Sequence, residues 1–298
     1  MIGRRRFTHG AALAALGCGL AMASRSARAA GGFSDALATD LVKIEKESGG
    51  RLGVAALDTL TGARSMHRAD ERFPMCSTFK VLAAGAILAR VDAGKESLDR
   101  RIRFQAPDLL AYSPITRDRL GGEGMSLADL CEAALTVSDN TAANLLLAAL
   151  DGPAGLTAYA RSLGDSMTRL DRIEPDLNEA VPGDPRDTTS PAAMLSNLHS
   201  LILGNALSAA SKDQLSRWLL ANKTGDARLR AGLPSGWWVG DKTGSGDSGS
   251  TNDVGILWPP QRAPILIAVY LTETPKPDDQ RNATIAAVAR AVAATLEH

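Results

Sequence analysis

Ser77-Thr78-Phe79-Lys80 opens an apolar run over residues 81–88. A serine and a lysine three positions apart share one face of a helix. A serine at a helix N-terminus lies among free backbone N–H groups, at the positive end of the dipole. A helix that is apolar on its remaining faces is buried, so Lys80 is held in a dry place. Burial disfavours the charged amine, which makes Lys80 a candidate base and Ser77 a candidate nucleophile. The same four residues also fit an N-cap serine followed by a lysine that snorkels to the surface.

Two other segments carry polar groups at the ends of regular patterns. Ser138-Asp139-Asn140 precedes a helical pattern over 141–150, and alone it fits a helix cap. Lys242-Thr243-Gly244 ends a strand pattern that begins at Trp237 and runs into a Gly/Ser-rich turn. The usual hydrolytic devices are missing. Beyond residue 29 the histidines are His67, His199 and His298, in a strand-like piece, a helix and the terminus. That scatter does not build a Ser-His-Asp triad. No His/Cys/Asp cluster has zinc-ligand spacing. Hydrolysis by this chain therefore needs a base other than histidine, and no metal or cofactor is expected.

Taken together, the motifs run S-x-x-K, S-D-N, K-T-G, with the last on a strand. On these residues the chain resembles the penicillin-recognising serine enzymes, and within them the class A β-lactamases. The subclass rests on a fourth segment. Arg172-Ile173-Glu174-Pro175-Asp176-Leu177-Asn178-Glu179-Ala180, followed by Arg186-Asp187-Thr188-Thr189-Ser190, resembles the class A omega loop. The resemblance covers residues 33–298.

It implies a set of roles in β-lactam hydrolysis. Ser77 attacks the lactam carbonyl, and its proton goes to Lys80 or, through a water, to Glu174. The N–H groups of Ser77 and Ser245 form an oxyanion hole. Ser138 returns a proton to the leaving nitrogen. Lys242 and Thr243 bind the substrate carboxylate, and Asn140 holds the acylamino side chain. Gly244 leaves the strand edge open for substrate to lie along it. Glu174 and Asn178, four residues apart, share the water that hydrolyses the acyl-enzyme. Arg172 and Asp187 close the loop as an ion pair, and the Glu174–Pro175 bond is cis. Asn144 matches a position that is structural, with no chemistry assigned.

The chain also departs from common members. Ile173 replaces a frequent tryptophan, with repacking as the expected effect. Thr251 stands where many members carry a carboxylate-binding arginine. Arg228 matches the place from which other members supply that arginine, so it is assigned to the carboxylate. Tyr112 matches the aromatic gatekeeper of the pocket. Cys76 and Cys131 match half-cystines whose partner positions are Gly246 and Ala84 here, so two free thiols are expected. The missing bridge at Cys76 points away from carbapenem turnover, and Ser245-Gly246-Asp247 resembles members active on oxyimino-cephalosporins.

These side chains need a scaffold. The chain has 298 residues, 45% of them hydrophobic, enough for a large packed core. Residues 1–29 read as an export signal. They hold a basic start at Gly3-Arg4-Arg5-Arg6-Phe7, an uncharged stretch over 10–24 and Ala27-Arg28-Ala29 as a cleavage pattern. Arg4-Arg5-x-Phe7 fits either a twin-arginine or an ordinary secretory signal. Removing this segment removes five arginines and leaves 28 basic against 33 acidic residues, a net charge of −5. That argues against a nucleic-acid or anionic-membrane partner for the mature chain. The expected partner is a small-molecule β-lactam, and the resemblance implies a periplasmic or secreted monomer.

The element order is helix (33–47), strands (51–58 and through 67), a helix-rich middle (76–221), strands (237–243, 254–258, 264–271) and a last helix (279–296). Segregated strands and helices favour an α+β fold. The expectation is a five-stranded antiparallel sheet built from both chain ends and flanked by the terminal helices, with the site at its seam with the helical middle. In domain terms, residues 30–68 and 222–298 form a discontinuous α/β domain. Residues 69–221 form an all-helical domain with its omega loop at about 171–187. Three rivals are weighed at this level, and the four intact motifs argue against one of them, an inactive scaffold that kept the fold. A penicillin-binding transpeptidase or carboxypeptidase shares three motifs but lacks Glu174 and Asn178. A covalent β-lactam sensor carries a membrane anchor and a partner domain.

Overall fold

The computed structural model describes Phe33 and residues 35–296. The segment read as an export signal, with Cys18, and His298 lie outside the described residues. The chain opens with α1 (Asp35–Ser48), β1 (Arg51–Asp58) and β2 (Arg64–His67), followed by β3 (Phe73–Pro74), α2 (Phe79–Asp92) and β4 (Arg101–Ile102). The middle holds β5 (Met125–Ser126), α3 (Leu127–Thr136), α4 (Asn140–Ala149), α5 (Gly152–Ser162), β6 (Thr188–Thr189), α6 (Pro191–Ile202) and α7 (Ala209–Leu220). It closes with α8 (Leu229–Gly232), β7 (Trp238–Ser245), β8 (Thr251–Trp258), β9 (Ile265–Thr272) and α9 (Asp278–Ala294).

The main sheet has five antiparallel strands in the order β2-β1-β9-β8-β7. The two chain ends meet in its middle, where Arg51 faces Thr272 and Asp58 faces Ile265. All eight residues of β9 are buried, as a central strand covered on both faces requires. One face packs on the terminal helices through Leu37, Leu41, Val54, Val269, Ile285 and Val288. The other packs on the helical middle through Ala55, Leu82, Leu198, Val254 and Tyr270. The architecture is the expected α+β arrangement.

Helix starts follow the caps. Ser126 accepts from Asp129 N, and the Asp129 carboxylate reaches back to Ser126 N, a capping box that opens α3. Asp139, Ser190 and Ser208 cap α4, α6 and α7. The central helix α2 is buried from Phe79 through Leu88, so it has no polar face. The two-residue ribbons β3·β6 and β4·β5 and the four-residue α8 were not expected, because elements so short show no periodicity.

Candidate active site

Ser77 lies in a 3₁₀ turn, Cys76–Thr78, that runs into α2. Cys76 adopts φ 45° to start that turn, and Ser138 adopts φ 59° ahead of α4. Left-handed backbone at non-glycine residues is costly and is kept where surrounding contacts hold it. At Ser138 those contacts are visible. The buried Asp139 carboxylate accepts from Ile115 N, Thr116 N and Ala142 N, each at 2.9 Å, and Asn140 N donates to Tyr112 O at 3.0 Å.

The helical spacing brings Lys80 Nζ to 2.9 Å from Ser77 Oγ. The ammonium also donates to Ser138 O (2.9 Å), Ser138 Oγ (3.1 Å) and Asn140 Oδ1 (2.8 Å), and pairs with Glu174 Oε1 at 3.0 Å. Lys80 is 0% exposed, so it does not snorkel. Burial holds its pKa below the usual amine value, against the opposing pull of Glu174. Lys242 Nζ reaches Ser138 Oγ from the other side at 3.1 Å and donates to Thr243 O at 2.9 Å. Burial, and then the charge of Lys80, push the Lys242 pKa well down. Ser138 Oγ thus faces two amines.

Glu174 comes from the loop after α5 and is 1% exposed. Ser77 Oγ lies 3.3 Å from its Oε1, and Asn178 Nδ2 donates to its Oε2. The Glu174–Pro175 bond is cis. The loop is closed as expected, with Arg172 Nε 2.6 Å from Asp187 Oδ2. Asp187 Oδ1 also accepts from Asp171 N and Arg172 N. Ile173 is half exposed and anchors nothing in the core.

These groups converge on a pocket of about 320 Å³. Ser77, Tyr112, Ser138, Asn140, Asn178, Arg228, Thr243, Gly244 and Ser245 line it, with Lys80, Lys242 and Glu174 buried beside them. Tyr112 is 52% exposed at the rim. The strand β7 is the sheet edge, so one side of its backbone is open to the pocket. Counted back from the Gly246 N–Ser250 O bond, Ser245 falls in a non-hydrogen-bonded pair with Thr251, and its N–H points out of that edge. Gly244 has a further reason besides the open edge. A Cβ there would stand 2.8 Å from Met75 O and 3.2 Å from Thr78 Cγ2, so the glycine lets β7 approach the nucleophile turn. Arg228 is held by Asn282 Oδ1 at 2.9 Å, Gly244 O at 2.8 Å and Asn252 O at 2.7 Å, with Nη2 on Ser245 Oγ at 2.7 Å. Burial lowers its pKa from the usual guanidinium value.

One residue, Thr224, escaped the sequence reading, while Asn144, read there as structural, grips both backbone groups of Glu174. Its Nδ2 donates to Glu174 O and its Oδ1 accepts from Glu174 N, each at 2.9 Å. Thr224 lines the pocket and hydrogen-bonds Thr243 through its hydroxyl. Its signal was a second Lys-Thr-Gly at residues 223–225. Cys76 and Cys131 are free and buried. A Cβ on Gly246 would lie 2.7 Å from Cys76 Sγ, so the two positions are neighbours without a bridge. Among the described residues, no cluster of three or more His, Cys, Asp or Glu could hold a metal.

Residues 36–296 match the model of the β-lactamase enzyme family. The chain is 50% identical to β-lactamase CTX-M-8 of Citrobacter amalonaticus over 252 residues, 85% of this chain and 86% of that one. It is 49% identical to β-lactamase AST-1 of Nocardia asteroides over 298 residues, 98% and 96% of the two. Among solved structures, an ancestral class A β-lactamase (GNCA) is 64% identical and superposes with a TM-score of 0.85 over 86% of this chain and 98% of that one. The chain therefore belongs to the class A β-lactamases and is a hydrolase acting on β-lactam antibiotics.

Proposed function

We propose that Ser77 is the nucleophile of that hydrolysis and that Glu174 drives deacylation. The observation that carries this is the placement of Ser77 Oγ between Lys80 Nζ at 2.9 Å and Glu174 Oε1 at 3.3 Å. Ser77 Oγ bonds to the lactam carbonyl carbon while its proton passes to a neighbouring base. The developing oxyanion is met by the N–H groups of Ser77 and Ser245. One such donor is typically worth about 3–4 kcal/mol. The C–N bond then breaks. With Lys80 and Lys242 facing Ser138 Oγ, the hydroxyl proton is free to turn to the leaving nitrogen. Lys242, Thr243 and Arg228 hold the substrate carboxylate, Asn140 holds the acylamino group, and Tyr112 covers the mouth.

In the second half, Glu174 takes a proton from a water that attacks the ester carbonyl, and Ser77 leaves with a proton. Asn178 Oδ1 is buried and has no partner, an acceptor suited to that water. The same reading makes residues 1–29 an export signal, and the mature enzyme a periplasmic or secreted monomer. It divides the mature chain into an α/β domain of 30–68 with 222–298 and a helical domain of 69–221.

The test is turnover of a chromogenic cephalosporin by residues 30–298, followed well past one equivalent. Sustained hydrolysis is expected. Ser77→Ala abolishes it, and Glu174→Ala gives an acyl burst of one equivalent and then stalls. Continued turnover by either variant overturns the assignment.

A further inference from the structure

The segment that carries Tyr112 has no regular structure of its own. Residues 109–115 belong to no helix or strand. A ring at the mouth of a pocket is only as well placed as the backbone beneath it, and an irregular surface loop moves on the nanosecond to microsecond scale unless something fastens it. The fastening comes from three successive residues at the start of α4. The Asp139 carboxylate accepts from Ile115 N and Thr116 N, and Asn140 N donates to Tyr112 O. The third is Thr141, whose buried hydroxyl meets the loop. It accepts from Leu110 N at 2.9 Å, donates to Asp108 O at 3.2 Å and stands 2.7 Å from Ser113 Oγ.

The protons on these groups have one arrangement that satisfies them all. A hydroxyl has one proton to give and two lone pairs to fill. With the Thr141 proton on Asp108 O, its lone pairs take Leu110 N–H and Ser113 O–H, and every donor has an acceptor. If Thr141 donated to Ser113 instead, Asp108 O would lose its donor. The cluster is dry. Thr141 is 0% and Ser113 1% exposed, while Tyr112 is 52% exposed. A bond lost in such a place is not made good by water. One buried oxygen thus grips the chain two residues before Tyr112 and one residue after it, and leaves the ring at the surface. We propose that Thr141 is a positioning residue for substrate binding, whose hydroxyl fixes the Tyr112 ring over the pocket.

The neighbours of Thr141 on α4 have other duties. Successive helical residues point about 100° apart, so Asn140 and Thr141 leave the helix in different directions. Asn140 Oδ1 accepts from Lys80 Nζ inside the site, while Thr141 Oγ1 turns to the loop. From the solvent side Arg117 Nη2 adds a bond to Ala111 O at 2.8 Å. The helix that sets Asn140 against Lys80 therefore also sets the height of the gate, with a separate side chain for each task.

This inference rests on the reading of Tyr112 as the ring that covers the mouth, and the test separates the two. KM and kcat for benzylpenicillin are measured on Thr141→Val, Tyr112→Ala and the double variant, with Thr141→Ser as the rescue. Valine removes the hydroxyl, and serine keeps it. A stacked ring is worth about two- to tenfold in binding, so Thr141→Val is expected to raise KM by about that factor with kcat little changed. Thr141→Ser restores KM. In the Tyr112→Ala background Thr141→Val should raise KM no further, because the ring through which it acts is gone. If Tyr112→Ala leaves KM unaltered, the gate reading fails and the inference falls with it. If Tyr112→Ala raises KM and Thr141→Val does not, the gate stands and the inference alone fails. Equal rises from Thr141→Val with and without the ring would mean that the hydroxyl acts through Asn140 or the helix, and also overturn it. Should Thr141→Val not fold, Ser113→Ala, which removes one of the three bonds, takes its place in the cycle. It is expected to raise KM less, and again only when the ring is present.

Discussion

Replacing Asn144 by alanine separates the two halves of the reaction. Asn144 projects from α4 and makes two hydrogen bonds of 2.9 Å to the backbone of Glu174. Each is worth about 0.5–1.5 kcal/mol net, so the fold loses roughly 1–3 kcal/mol. For a domain of this size that lowers the melting temperature by roughly 2–8 °C. The larger effect is on placement. With those bonds gone, Glu174 is tied to the site by its own carboxylate and by Asn178. A shift of about 1 Å in a catalytic group typically costs about 100-fold in rate. Acylation is spared more, because the helical spacing together with Ser138 and Asn140 still holds Lys80 2.9 Å from Ser77. The expected outcome with a chromogenic cephalosporin is a rapid burst of one equivalent followed by turnover about 100-fold slower than the unmodified enzyme. Rapid-mixing absorbance resolves both phases. Steady-state turnover within threefold of the unmodified enzyme, without a burst, would refute the view that Asn144 positions Glu174.

Arg228→Ala should raise KM for penicillins about tenfold or more and slow inactivation by clavulanate, because a bonded, buried guanidinium is removed from the carboxylate site; unchanged values for both would reject its assignment. Thiol titration should find two reactive groups in the unfolded mature protein. In the folded enzyme Cys76, whose pKa burial pushes up to about 12, should not react. A disulfide, or fast reaction of the native protein, would contradict this. Asp253→Asn should flatten the pH dependence of stability. A carboxyl whose folded pKa is raised binds a proton that the unfolded chain has lost, so stability falls as pH rises from the unfolded value through the folded one. The melting-temperature gain of the variant should therefore grow with pH across that window, and parallel curves would exclude it.

What the sequence made legible was local. The strand over 51–58 was read to the residue, and the helical pattern over 141–150 matches α4 to within one residue at each end. Ser77 and Lys80 were legible because a helix puts positions three apart together. The supports of the site were not. Arg228 is held by Asn282, 54 positions away, and Ser77 meets Glu174 across 97. Such contacts leave no period in the chain. Glu174 was found only because its whole loop resembles a known one. Thr224 had no such context, and its Lys-Thr-Gly was overshadowed by the tripeptide at 242–244. Gly244 was recognised by its motif, but the close approach of Met75 and Thr78 that also calls for a glycine is visible only once strand and helix are packed.

The same distinction separates the two half-reactions. The groups proposed for acylation, Ser77, Lys80 and Ser138, sit at the starts of two helices, inside the core, where packing fixes them. The pair proposed for deacylation, Glu174 and Asn178, sits on a loop with two fastenings, the Arg172–Asp187 ion pair at its base and Asn144 at its centre. The ion pair is firm because Asp187 is buried and also accepts two backbone N–H groups, while Asn144 is neutral and acts over a single residue. Loosening the helix side should therefore destroy folding and activity together. Loosening the loop side should leave a folded protein that acylates and then waits, the behaviour of a penicillin-binding protein. On this scaffold the step from covalent capture to turnover depends on how rigidly one loop carboxylate is held against the nucleophile.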